Sequence, residues 1–153
     1  MLVIAIGNPD RGDDGIGALV ATKLAGRLPA GVALVERRGD MLGLLDDWSR
    51  CDAVICVDAA APMAEPGRVH RFDGVLPHDL SPPSSHAFGL AEALALSRAL
   101  DSAPPVVIIY AVEGQSFETG APMTPAVAAA ADEVADRIAA EVDRLPIEVL
   151  SHA

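Results

Sequence analysis

Four residues of this sequence combine a side chain that could bind a metal ion or move a proton with a position at the end of a predicted segment. Asp13 and Asp14 follow the first apolar segment, Asp58 follows a later one, and His86 precedes a predicted helix. Two carboxylates and an imidazole suit a divalent transition metal. A helix N-terminus favours ionised carboxylates and a neutral imidazole, which are the forms that bind a metal. The residue types are therefore compatible with a metal site.

Each of these residues also has a simpler interpretation. Asp13 and Asp14 stand where helix N-caps stand, Asp58 could cap a loop, and His86 could be a capping or surface residue. Asp13 and Asp58 could instead share a proton as an aspartic dyad, although the Asp-Thr/Ser-Gly loops of such proteases do not occur. The first loop has neither a phosphate-binding Gly-Lys-Ser/Thr motif nor a dinucleotide fingerprint, and no G-x-S-x-G elbow is present. The pattern alone leaves metal binding and capping open.

The segments that must position these residues alternate between strand and helix patterns. Apolar runs predict buried strands at Leu2–Ile6, Val32–Val35, Ala53–Val57 and Val106–Val112. Arg68–Phe72 alternates and predicts an edge strand, which could run antiparallel to the others. The strands that end before Gly7 and at Asp58 thus lead directly into the candidate site residues.

Helical spacing of apolar residues predicts four helices. The predicted starts are Asp13 or Asp14, Asp40, Ser84 or Ser85, and Thr124-Pro125; the first helix ends at Pro29–Gly31 and the last at Pro146, with residues 146–153 frayed. The proline-rich segment Asp73–Ser85 is predicted to be irregular. Gly15 and Gly17 in the first helix indicate close approach by a strand or a ligand.

The resulting order, β-α-β-α-β-β-α-β-α, predicts an α/β fold in a single domain spanning residues 1–153. We expect a three-layer α-β-α sandwich with a five-stranded, mostly parallel, twisted sheet. Carboxyl ends of neighbouring strands converge on one crevice in such sheets, so Asp58, His86 and an aspartate of the first loop should meet there.

Composition narrows the class of partner. The net charge of −11 argues against nucleic-acid binding and against attachment to an anionic membrane. Cys51 and Cys56 have no metal-binding or redox spacing, and Cys56 lies in an apolar run, so a reducing, cytoplasmic setting is expected. Neither a signal peptide nor a transmembrane run is predicted, and a monomer is the expected state.

Several ordered motifs resemble the hydrogenase maturation endopeptidases. They are Gly7-Asn8 with Asp13-Asp14-Gly15-Ile16-Gly17, Val57-Asp58-Ala59, Ser85-His86-Ala87-Phe88-Gly89-Leu90, Tyr110–Glu118 and Met123–Val127. Together they place the resemblance over about residues 1–143.

The resemblance implies an endopeptidase that removes a C-terminal extension from the nickel-loaded precursor of a nickel–iron hydrogenase large subunit. It also implies that Asp14, Asp58 and His86 are the catalytic and metal-contacting residues. The nickel belongs to the substrate, and cadmium or zinc could occupy the site in vitro. Nickel would either polarise the scissile carbonyl or position the peptide near Asp14 or Asp58 as general base. The alternative is a non-proteolytic, nickel-dependent checkpoint protein in hydrogenase assembly.

Two positions depart from the family pattern. The family's first acid is often glutamate, whereas Asp14 is one methylene shorter. Gly39-Asp40 stands where the family often has Gly-Thr, in a loop expected near the site. We therefore expect differences in ligand reach at Asp14 and in substrate choice at Asp40.

Overall fold

The computed structural model describes residues 1–38, 40–74 and 90–151. Its strands are β1 (Leu2–Ile6), β2 (Ala33–Arg37), β3 (Ala53–Ala60), β4 (Val69–Asp73) and β5 (Val106–Glu113), and they form one sheet in the order β2-β1-β3-β5-β4. β1, β2, β3 and β5 are parallel, while β4 pairs antiparallel with β5 at one edge. The predicted mostly parallel sheet with one antiparallel edge strand is confirmed.

Helices cover both faces of this sheet. They are α1 (Ile16–Leu24), α2 (Met41–Trp48), α3 (Leu90–Ala99) and α4 (Pro125–Ser151), and a 3₁₀ turn (Gly12–Gly15) precedes α1. α1 and α4 pack on one face, and α2 and α3 pack on the other. The predicted α-β-α sandwich is therefore confirmed. None of the helices in the described ranges is both long and apolar enough to cross a bilayer.

The two central strands explain why their sequences are continuously apolar. In β1, Ala5 packs toward α1 and α4, whereas Ile4 packs toward α2 and α3. In β3, Val57 likewise packs toward α1 and α4, and Cys56 packs toward α2 and α3. Side chains alternate along a strand, so Asp58, next in register after Cys56 on that face, lies on the α2/α3 side.

The sheet order creates a crevice beside β1. The chain passes from β1 to β2 on one side, then crosses over to β3 on the other. Such a reversal is the topological switch point at which α/β sheets bind ligands, beyond the carboxyl ends of the strands. Asp14 follows β1 and Asp58 lies near the end of β3, so the fold brings both to this crevice.

Several predicted boundaries were wrong, and the largest differences concern β3, α1 and α4. β3 continues to Ala60, so Asp58 lies inside the strand rather than at its exit. α1 ends at Leu24, before Pro29, because Ala25 leaves the helical conformation with a ψ of 125° and Gly26 follows with a φ of +79°. α4 runs through Pro146 to Ser151, because a proline removes one main-chain hydrogen bond without preventing later residues from being helical.

Candidate active site

Asp14 lies under the turn that follows β1 and is only 3% exposed. Its Oδ2 accepts a hydrogen bond from the main-chain N–H of Asn8 at 2.8 Å. The turn depends on Gly7, which has a φ of +137°; a Cβ atom there would lie 2.0 Å from the Asp14 carbonyl oxygen. Within the described part of the chain, no hydrogen bond to Oδ1 of Asp14 is seen.

Asp58 is half-buried, and its Oδ1 accepts a hydrogen bond from the Ala59 amide at 2.8 Å. Burial raises the pKa of Asp58 well above its usual value, and the Asp14 carboxylate raises it further. The Ala59 amide opposes this shift without cancelling it. A carboxyl group whose pKa is raised by burial and a neighbouring carboxylate is a candidate for acid–base catalysis.

The two carboxylates therefore form an electrostatically coupled pair across the crevice between β1 and β3. Like charges held this close favour either a shared proton or a bound cation. Over the described ranges, no group of three or more His, Cys, Asp or Glu side chains is arranged to hold a metal ion. His86, the third predicted residue, lies outside those ranges, as do His78, His152 and the predicted helix start at Ser84 or Ser85.

α3 packs on the sheet face that carries Asp58. Its first residue, Leu90, is buried against the same sheet face as Cys56. This is also the face on which Asp58 lies. The contribution of His86 to the site stays a prediction.

Asp13 has a role that the sequence did not indicate. It is fully buried, and its Oδ2 accepts hydrogen bonds from the main-chain N–H groups of Gln115 at 2.7 Å and Ser116 at 2.9 Å. The Thr124 amide donates to Oδ1 at 2.6 Å, and the Thr124 hydroxyl donates to Oδ2 at 2.7 Å. Asp13 thus joins the first loop to the loop between β5 and α4.

The charge of Asp13 is stabilised by these contacts. Burial alone would raise the pKa of Asp13, but the hydrogen bonds from Ser116, Gln115 and Thr124 outweigh burial and hold it below its usual value. Neither the 3₁₀ turn nor α1 has a side-chain cap. The suggestion that Asp13 or Asp14 caps the helix was therefore wrong, because both side chains are directed to more distant partners.

Glu113 and His70 form a second polar cluster, at the same end of the sheet as Asp14 and Asp58, where the parallel strands finish. Glu113 ends β5, is 1% exposed, and its Oε1 lies 2.7 Å from His70 Nε2. Its Oε2 accepts the amides of Ala64 at 3.1 Å and Glu65 at 2.9 Å. Burial would raise the pKa of Glu113, but the bonds from Glu65, His70 and Ala64 lower it overall. The sequence assigned His70 no partner, because only the β4–β5 register brings the pair together.

A cavity of about 460 Å³ opens beside the first loop, at the β2 side of the crevice. Its lining residues come from β1, α1 and the end of β2: Ala5, Gly7, Pro9, Ala18, Glu36, Arg37 and Arg38. Gly7 belongs to both this cavity and the turn over Asp14. The cavity therefore adjoins the candidate site.

Comparison with known proteins assigns the fold and the family. The hydrogenase maturating endopeptidase HybD from Escherichia coli is 24% identical, with a TM-score of 0.77 over 93% of this chain and 91% of that one. The maturation protease HycI from Thermococcus kodakarensis KOD1 is 20% identical, with a TM-score of 0.72 over 94% and 92%. No curated protein sequence matches significantly. Residues 20–141 match the family model HycI, hydrogenase maturation protease, and the chain therefore belongs to the hydrogenase maturation protease family.

Proposed function

We propose that this protein is an endopeptidase that removes a C-terminal extension from the nickel-loaded precursor of a nickel–iron hydrogenase large subunit. The observation that carries the proposal is the coupled pair of Asp14 and Asp58 at the switch-point crevice, in a chain of the hydrogenase maturation protease family. Membership implies a peptidase; the substrate, the nickel requirement and the catalytic residues are the proposal.

Asp14, Asp58 and His86 are proposed to contact nickel carried by the substrate. Both carboxyl groups suit this role, because among the described residues each accepts a single protein hydrogen bond, through one of its two oxygens. The substrate nickel would polarise the scissile carbonyl or hold the peptide in place. If nickel only holds the peptide, Asp14 or Asp58 would take a proton from the attacking water, and the raised pKa of Asp58 makes its ionised form a stronger base than an ordinary aspartate.

The direct test compares nickel-loaded and nickel-free precursor, each incubated with the purified protein and analysed by intact-mass spectrometry. We expect trimming of the nickel-loaded form alone. Asp58→Asn should fold normally, since the amide is isosteric and avoids a buried charge, but trimming should fall at least about 10²-fold. Asp73→Asn is the matched control, because Asp73 is an exposed carboxylate at the opposite edge of the sheet.

The possible results separate the proposed function from its alternatives. Normal trimming by Asp58→Asn would remove Asp58 from the mechanism. Equal trimming of both precursor forms would rule out nickel recognition. Binding of the nickel-loaded precursor without cleavage would favour the non-proteolytic checkpoint.

The proposal keeps the expected setting of a cytoplasmic monomer that engages a larger protein. Cys51 and Cys56 are free thiols, as a reducing compartment favours. Size-exclusion chromatography with light scattering tests the monomeric state.

A further inference from the structure

His70 and Glu113 have the composition of a histidine–carboxylate pair of the kind that orients a catalytic imidazole. Nε2 of His70 lies 2.7 Å from Oε1 of Glu113, and 19% of the His70 side chain is exposed against 1% of the Glu113 side chain. Burial would raise the pKa of Glu113, but hydrogen bonds from His70 and from two main-chain N–H groups lower it overall. Folding therefore favours the ionised carboxylate, which can only accept hydrogen bonds, so Nε2 carries the proton between them. Nδ1 is then the ring nitrogen that can exchange a proton.

Strand register places His70 on the same sheet face as Asp58 and in the same cross-strand row. Ala111 of β5 pairs with Asp58 of β3 on one side and with His70 of β4 on the other. Paired residues of neighbouring strands project to one face, here the face covered by α2 and α3, where the Phe72 ring stacks on His70. Neighbouring strands lie about 4.8 Å apart, so the Cα atoms of Asp58 and His70 are about 10 Å apart. The methyl side chain of Ala111 stands between them in the row.

This spacing suits an acid and a base that act on the same bond. Inverting glycosidases, in which an attacking water fits between the two catalytic groups, hold those groups about 6.5–9.5 Å apart. Asp58 and His70 project from one face, so their functional groups can approach within that range.

The His70 ring is also oriented before any substrate binds. Its partner Glu113 is held by the main-chain N–H groups of Ala64 at 3.1 Å and Glu65 at 2.9 Å, and the Glu113 main-chain oxygen accepts the Gly67 N–H at 2.8 Å. A catalytic group that is already oriented needs no reorganisation during the reaction. Within the described part of the chain, no hydrogen bond to Nδ1 of His70 is seen.

We propose that His70 is the general acid of the peptide cleavage and that it donates its Nδ1 proton to the departing amide nitrogen while Glu113 holds the ring. The water oxygen forms a bond to the scissile carbonyl carbon, and the water proton passes to the Asp14–Asp58 pair. The carbon–nitrogen bond breaks, its electron pair stays on nitrogen, and that nitrogen takes the proton from Nδ1. Solvent then returns a proton from the aspartate pair to His70. This inference rests on the proposed function.

His70→Gln is the discriminating variant, because a glutamine amide can still donate to Glu113 but has no titratable nitrogen. It is compared with the parent protein on two nickel-loaded precursors, one with the natural scissile amide and one in which semisynthesis replaces it by an ester. An alcohol departs more easily than an amine and needs less help from an acid. We expect kcat of His70→Gln to fall about 10²-fold or more on the amide but to stay within about threefold of the parent on the ester. Glu65→Gln, at an exposed position of the β3–β4 loop, should match the parent on both.

A second measurement uses the parent protein alone. Because the acid must hold its proton, kcat/KM on the amide should fall as the pH rises and the His70 ring loses its proton. The midpoint should coincide with the titration of the His70 ring C–H signal, assigned by triple-resonance NMR. This residue-specific signal separates His70 from the other charged and titratable groups on its own strand and on the surrounding elements, which are Arg71 and Asp73 of β4, Asp58 of β3, Glu65 and Arg68 of the β3–β4 loop, Glu113 of β5, and Glu92 and Arg98 of α3.

Three results would overturn the inference while the proposed function stands. They are normal cleavage of the amide by His70→Gln, equal slowing of amide and ester, and a kcat/KM profile that does not follow the His70 titration. If the parent protein does not trim the nickel-loaded precursor, the proposed function fails and the general-acid role fails with it. Circular dichroism and urea unfolding check that His70→Gln is folded; if it is not, the pH profile and the NMR titration of the parent protein decide.

Discussion

Asp13 and Asp14 are adjacent residues of the same type, yet their environments assign them different roles. Both carboxylate oxygens of Asp13 accept hydrogen bonds, four in total, from the β5–α4 loop. Asp14 accepts one, from Asn8, and keeps Oδ1 free among the described residues. A carboxylate whose lone pairs are occupied by protein donors is a poor ligand, so the proposed chemistry at this loop is assigned to Asp14 rather than to Asp13.

Asp13→Ala should destabilise the fold strongly. The change leaves three main-chain amides and a hydroxyl without their buried acceptor, at about 1–3 kcal/mol for each unsatisfied group. We expect a loss of at least about 3 kcal/mol in the free energy of unfolding, measured by urea denaturation. Asp10→Ala is the control, since Asp10 is an exposed aspartate of the same loop, and its effect should stay within about 0.5 kcal/mol. Similar stability of the two variants would contradict the role assigned to Asp13.

At the scale of elements, the site depends on how closely α1 approaches β1. A Cβ atom on Gly17 would lie 2.5 Å from the main-chain oxygen of Ile6 and 2.9 Å from its nitrogen. The expected close approach at this glycine is thus confirmed, with a strand as the neighbour. The glycine fixes the distance between helix and strand, and with it the position of the loop that carries Asp14.

Gly17→Ala should therefore be destabilising although alanine favours helices. The helix gain is about 1 kcal/mol, whereas overpacking against main-chain atoms costs about 1–3 kcal/mol or more. We expect a net loss of about 1–2 kcal/mol by urea unfolding. Gly43→Ala in α2 is the matched control, because among the described residues its Cβ would meet the flexible side chain of Asp40, at 3.2 Å, rather than main-chain atoms. Equal effects of the two changes would show that α1 has room to move.

The Glu113 cluster ties the β3–β4 loop to β5 and predicts a pH dependence. The pKa of Glu113 is lowered in the folded protein from its usual 4.5, so folding favours its ionised form. Its contribution to stability is complete above pH 4.5 and is lost as the pH falls through the lower, folded value. Glu113→Gln should lower stability at pH 7 and flatten the acid limb of a urea-unfolding series from pH 7 to 3. Glu118→Gln, at an exposed position, should leave that limb unchanged.

At the scale of the whole molecule, the central strands β1 and β3 are buried from solvent along almost their entire length. Cys56 is fully buried in β3, and burial, followed by the nearby Asp58 charge, raises the pKa of its thiol. Cys51 is only half-buried. Reaction of Cys56 with a thiol reagent should therefore require global unfolding.

A Cys51→Ser variant tests this expectation with one thiol. In native buffer, labelling by a disulfide reagent should be slow, and its rate should rise with urea in parallel with the unfolding constant measured by circular dichroism. Rapid labelling at zero urea would show that β3 opens locally. A Cys56→Ser variant, labelled at Cys51, provides the comparison.

The sequence predicted those parts of the fold that depend on local patterning. Continuous apolar runs identified β1, β3 and β5, and Thr124-Pro125 correctly marked the start of α4. It could not predict the partners of Asp13 or the pairing of His70 with Glu113. Those contacts depend on strand order and register, and no local propensity encodes them. Asp14 and Asp58 were predicted to converge because parallel strands end at one edge, whereas His86 stays a prediction.

The bonds made by Asp13 join residues that are 102, 103 and 111 positions apart in the chain. Contacts of such separation form late in folding, because the loops between them must close first. A nascent chain therefore cannot complete the first loop until Thr124 has been synthesised. We expect partial translation products that end before Thr124 to leave the first loop, and with it Asp14, without these fixing contacts.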